Sequence, residues 1–112
     1  QIYLGVIYMH EKSVQIIREE LGKRGFNVEK IILFGSRARG NFRPDSDWDF
    51  LVVTGQKLAW TEKIDIWLKL ARRLAPQAIT ADILIKFEQD FERDRNDVGK
   101  TTYYAAKEGA FV

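Results

Sequence analysis

Apolar positions come in two rhythms along this chain. Two short unbroken runs, Ile31-Ile32-Leu33-Phe34 and Phe50-Leu51-Val52-Val53, bracket a small and polar stretch from Gly35 to Asp49. β-Branched runs that stop at turn residues predict buried strands at about 30–34 and 47–53. A third run, at about 79–86, predicts another strand carrying Asp82. Elsewhere the rhythm is helical. Val14, Ile17 and Leu21 predict a helix over about 11–24, with Gly22 and Gly25 placed to end it. Trp60, Ile64, Trp67 or Leu68, and Ala71 predict one face of a long helix over about 58–74, stopped by Pro76. Ile66, Leu70 and Leu74 widen that apolar surface beyond one stripe, which favours deep burial on the sheet over a contact surface for another chain.

The rest is less regular. A short helix is expected to begin at Ser36, and Pro44-Asp45 marks a turn. The charged segment 88–98 reads as a solvated helix or loop, and 99–108 as a last helix closed by Gly109. A helix joining the second and third strands makes them parallel if they are neighbours. The fold class is therefore α/β (α+β), a small mixed sheet flanked by helices. The 112 residues are expected to form a single domain, with residues 1–8 a lead-in extension because the lone methionine is Met9.

Composition narrows the chemistry. Without cysteine, disulfides and thiolate metal sites are excluded, and the single His10 excludes a multi-histidine zinc site. His10, placed at a helix start far from the polar stretch, receives no role. A net charge of +2 is too mild to argue for nucleic acid. No apolar run approaches the ~20 residues that cross a bilayer, so the expected compartment is the cytoplasm.

The polar stretch carries the candidate chemistry. Gly35 permits close backbone approach to a ligand, and the Ser36 hydroxyl can cap a helix or bond a phosphate oxygen. Asp47 and Asp49 sit two apart at the head of a strand, so both carboxylates face one spot. Paired like charges are costly there unless a cation lies between them, and oxygen ligands suit Mg²⁺. A polar strand entry explains one of these aspartates but not both. Asp82 falls early in its strand and can join them, unless a salt bridge to a nearby Lys or Arg accounts for it. Arg37, Arg39 and Arg43 either steer an anion or are solvated. Trp48 and Phe50 alternate away from the carboxylates and read as core. Neither Gly35…Gly40 nor Gly99-Lys100-Thr101 completes a P-loop: Asn41-Phe42 replaces the required Lys and Ser/Thr, and Asp94 replaces the leading Gly.

Phe34-Gly35-Ser36-Arg37-Ala38-Arg39-Gly40 followed by Pro44-Asp45-Ser46-Asp47-Trp48-Asp49 resembles the signature of the DNA polymerase β-like nucleotidyltransferase superfamily. More narrowly it resembles the minimal nucleotidyltransferases, small antitoxin-type proteins that accompany helical HEPN-family partners. The resemblance spans roughly residues 10–110. It implies the polymerase β palm-like fold, with Asp47, Asp49 and Asp82 catalytic and holding two Mg²⁺ ions. Gly35, Ser36, Arg37 and Arg39 would bind the nucleotide, with ATP the implied substrate. It further implies transfer of AMP to a tyrosine hydroxyl on a HEPN-type toxin. A scaffold that neutralises its partner by contact alone is the alternative. A nucleic-acid-binding module is disfavoured by the lack of aromatic-basic interleaving, and a homo-oligomer is left open.

Overall fold

A computed structural model describes the backbone of residues 2–112 and the side chains from His10 onward. Its centre is a four-stranded mixed sheet in the order β3-β2-β1-β4. β1 (Val28–Phe34) pairs antiparallel with β2 (Trp48–Thr54), and β2 pairs parallel with β3 (Ala81–Phe87). The parallel pair is joined by α3 (Trp60–Leu74), as a crossover helix requires. β4 (Ala110–Phe111) closes the far edge of β1 and was not expected from the sequence. Two residues are too few to show a period. Among the described residues no helix is long and apolar enough to cross a membrane.

β2 is buried on both faces, and its residues alternate between two apolar clusters. Phe50 and Val52 face α1 (Ile2–Lys23) and α3, together with Ile31, Leu33, Ile83 and Ile85. Leu51 and Val53 face Phe91 of α4 (Glu88–Asp94) and Ala105 of α5 (Thr101–Glu108), together with Ile32. Burying a side chain such as Phe50 contributes about 2–3 kcal/mol. Thus α1 and α3 cover one face, while α4 and α5 cover the other.

Two helices differ from their sequence reading. α1 begins at Ile2, so the expected lead-in of residues 1–8 is helical from its second residue. The helix ends as predicted near Gly25, whose φ of +82° lets Phe26 N–H return to the Leu21 carbonyl at 3.0 Å. In α3 the buried side is Ile66, Leu70 and Leu74, whereas Trp60, Ile64 and Leu68 are 66%, 40% and 57% exposed. The reading that gave the whole surface to the sheet is corrected. A helix lying on one layer can bury only the arc facing it, and α3 carries two apolar arcs. The charged arm α4 is docked through Phe91, and Arg73 of α3 holds Glu19 and the buried Glu20 of α1.

Candidate active site

β1 ends at Phe34, and the chain turns at Gly35 into the single turn α2 (Ser36–Arg39). Gly35 adopts φ +75° and ψ −159°, a positive-φ conformation essentially confined to glycine. A Cβ there would also overlap Asp49 Oδ2. Space and dihedral angle therefore both demand glycine. Gly40, at φ +82°, closes the turn by donating its N–H to the Ser36 carbonyl at 3.0 Å. Ser36 is the first helical residue rather than the cap. Its hydroxyl donates to nothing among the described residues, so the capping role weighed for it is not filled.

Sheet register brings the carboxylates together. Asp49 is the second residue of β2 and Asp82 the second of β3, and the two are aligned partners across the parallel ladder. Asp47 lies one residue before β2, exposed at the end of the loop. Burial raises the Asp49 carboxyl above the usual aspartate range, and the charges of Asp82 and Asp47 raise it further, against the pull of Arg39. Asp49 thus feels the charge of both other carboxylates. No ion pair engages any of them among the described residues, so the salt bridge weighed for Asp82 is not formed. Nor, among the described residues, do any three His, Cys, Asp or Glu side chains close into a metal-holding group. The arrangement is open. It fits a hard cation that takes one or two carboxylates and completes its shell with phosphate and water.

The arginines of the motif separate into different roles. Arg37 turns to the loop: its guanidinium donates to the Ser46 carbonyl at 2.9 and 3.3 Å and to the Pro44 carbonyl at 3.2 Å. It also lies 4.5 Å from the ring centres of both Phe42 and Trp48. Burial lowers its pKa, partly offset by Asp45. Arg39 is exposed, reaches Glu108 of α5 at 3.7 Å and lends its charge to Asp49. The Arg43 side chain makes no ion pair among the described residues, although its backbone N–H donates to Ser46 Oγ at 2.8 Å. The loop 41–46 is therefore fastened at both ends, which fixes the approach to Asp47.

Three contributors escaped the sequence reading. His10 lies within α1 rather than at its start, and its ring stacks 6.5 Å from that of Trp48, behind the carboxylates. Trp48 N–H donates to the Thr80 carbonyl at 2.9 Å, pinning β3 to the start of β2. Glu108 neutralises part of Arg39 from the last turn of α5. None has a local motif that could announce it.

Residues 15–101 match the sequence family described as polymerase beta, nucleotidyltransferase. The chain belongs to that family. No curated protein matches the chain in sequence. Solved structures share the fold of this nucleotidyltransferase at low identity. A toxin–antitoxin complex with AMP-PNP is 19% identical with a TM-score of 0.59, covering 90% of this chain and 69% of the other. A mutant MntA–HpeT toxin–antitoxin complex, with two Asp→Glu changes two positions apart, is 17% identical with a TM-score of 0.56 and the same coverage. A protein of Sulfolobus solfataricus assigned as a nucleotidyltransferase is 20% identical with a TM-score of 0.54, covering 96% and 85%. The α/β fold expected from the motif is thus the fold found.

Proposed function

We propose that this nucleotidyltransferase moves a nucleoside monophosphate, AMP from ATP, onto a hydroxyl of a protein partner and thereby acts as an antitoxin. The observation that carries the reading is the in-register pair Asp49 and Asp82, with Asp47 within electrostatic reach and Gly35 packed against Asp49. Paired carboxylates facing a glycine turn are what triphosphate and metal need in the same place. The toxin–antitoxin neighbours, one of them with AMP-PNP, support the nucleotide and the partner.

Asp47 and Asp49, joined by Asp82, would hold Mg²⁺. When bound, the ions neutralise phosphate charge and polarise the phosphoryl group under attack. Gly35 leaves the turn open for the β- and γ-phosphates, and the unpartnered Ser36 hydroxyl donates to one of their oxygens. Arg39 adds positive charge beside them. Asp82 orients the incoming hydroxyl and takes its proton as the acceptor oxygen bonds to the α-phosphorus. The bond from that phosphorus to the bridging oxygen breaks, and pyrophosphate leaves. In-line geometry supplies the rate, and the chain supplies position and charge.

The acceptor would be a tyrosine on a helical HEPN-type protein. Incubating the chain with labelled ATP, Mg²⁺ and the product of the neighbouring gene tests this. Label on the partner supports transfer. A tight unlabelled complex would instead support the scaffold that neutralises by contact.

A further inference from the structure

The outer arc of α3 presents Trp60, Ile64 and Leu68 at intervals of four residues, which places them on one ridge. The ridge is held rigid, because Trp60 meets Trp67 edge-on at 5.5 Å and the Trp67 indole donates to the Ile83 carbonyl at 2.8 Å. Trp67 and Ala71 then continue the apolar surface into a groove of about 860 Å³ along the free edge of β3. Leu84 and Asp82 also line that groove, so a carboxylate of the candidate site borders it.

Charge identifies what fits there. Lys63 and Arg72 of α3 flank the ridge by helical spacing, and Lys57 lies three residues before the helix. Among the described residues none of them has a carboxylate within ion-pair distance, and Arg72 acts on Asp65 only through space. The acids of the same helix are already engaged. Glu62 accepts the Ala59 N–H at 2.8 Å, and Asp65 pairs with Arg24. A second copy is a poor occupant, because pairing α3 with itself would set these cations against one another. An added strand is also disfavoured, since the Trp67 indole already occupies the Ile83 carbonyl on the β3 edge.

We infer that the outer ridge of α3 docks an acidic amphipathic helix of a different chain, with the adjoining groove directing that chain toward Asp82. Apolar anchors at helical spacing meet Trp60, Ile64 and Leu68, while acidic flanks meet Lys57, Lys63 and Arg72. Docking stands on the ridge and its charges alone. The last step, delivery of a hydroxyl to Asp82, rests on the transfer proposed above.

Intrinsic tryptophan fluorescence reads the docking directly, since Trp60 lies on the ridge. The probes are a synthetic amphipathic helix flanked by Glu, its Lys-flanked counterpart, and phosphatidylserine vesicles. The Glu-flanked helix alone should shift the emission, with affinity falling about 10-fold or more between about 0.05 and about 0.5 M salt. The doubly reversed variant Lys63→Glu with Arg72→Glu should prefer the Lys-flanked helix. Leu68→Glu should abolish binding while circular dichroism stays unchanged. Equal response to both helices, response to neither, capture by vesicles, or self-association that Leu68→Glu removes would each overturn the proposal. Docking that persists while no partner is ever labelled would sink the transfer reading and leave this one standing.

Discussion

The Asp49 carboxylate rests against the Cα of Gly35, so close that any side chain at position 35 would occupy the space of Oδ2. The turn that leads into α2 and the strand that carries the carboxylates are thereby locked to each other. Gly35→Ala should cost about 1–3 kcal/mol from the glycine-only backbone conformation alone, plus whatever is needed to displace Asp49. The displacement part is removable. In the Asp49→Ala background, Gly35→Ala should cost less than in the native chain by about 0.5 kcal/mol or more. Denaturant unfolding of the four proteins checks this, and strict additivity would show that the contact carries no energy.

Asp47→Asn and Asp49→Asn each remove a charge while nearly preserving shape. Transfer should fall by about two orders of magnitude or more at saturating Mg²⁺. Asp49→Asn should also raise the melting temperature without metal at neutral pH, because it relieves repulsion from Asp82 and Asp47 and the burial of a charge. Near-normal transfer by either variant would remove that aspartate from the metal set.

Arg37 was assigned to the nucleotide from the motif, yet its donors serve the Ser46 and Pro44 carbonyls and its plane lies by Phe42 and Trp48. Lysine cannot reproduce this fork or its stacking. Arg37→Lys should therefore lose about 1–3 kcal/mol of stability. Transfer should fall mainly through turnover as the loop before Asp47 loosens. A loss confined to ATP affinity, with stability unchanged, would instead return Arg37 to the triphosphate.

What the sequence made legible follows from the range of its signals. The three strands and the parallel pairing of the second with the third follow from unbroken apolar runs and a crossover helix. The early place of Asp49 and Asp82 in their strands was legible too, whereas their register was not. The turn at Gly35 was likewise written locally. Partners brought from a distance were not. His10 on Trp48, Glu108 on Arg39 and the short β4 depend on where α1 and α5 lie in three dimensions. The two apolar arcs of α3 were visible, but periodicity alone could not say which faced the sheet. Gly109 shows the same limit: it must be small because Ile32 Cγ2 and the Ala105 carbonyl crowd it.

Asp94 offers a pH test away from the site. It is buried, and hydrogen bonds from Arg93 and then Lys86 hold its carboxyl well below the usual aspartate range. A depressed folded-state pKa means the unfolded chain binds the proton more readily. The stabilisation is therefore complete above the unfolded pKa of about 3.9 and is lost as pH falls below it. Melting temperatures of the native chain and Asp94→Asn should differ most above about pH 5 and converge toward about pH 2. A constant gap across that range would mean that the pair contributes shape and not charge.

Asp82 and Ser36 should divide the reaction between them. Asp82 is exposed at the start of an edge strand, where a hydroxyl can reach it, and it shares the site's charge with Asp49. The Ser36 hydroxyl is free in the turn, on the side expected to hold the triphosphate tail. Asp82→Ala should reduce transfer by about two orders of magnitude or more while changing nucleotide affinity by less than about fivefold. Ser36→Ala should do the reverse, weakening nucleotide binding by about 1 kcal/mol, or fivefold, and leaving saturated turnover within about threefold. Equilibrium binding of a non-hydrolysable ATP analogue, set beside turnover at saturating ATP, separates the two. Equal losses of binding and turnover in Asp82→Ala would mean that Asp82 serves the bound metal and nucleotide, and that the proton of the incoming hydroxyl goes elsewhere.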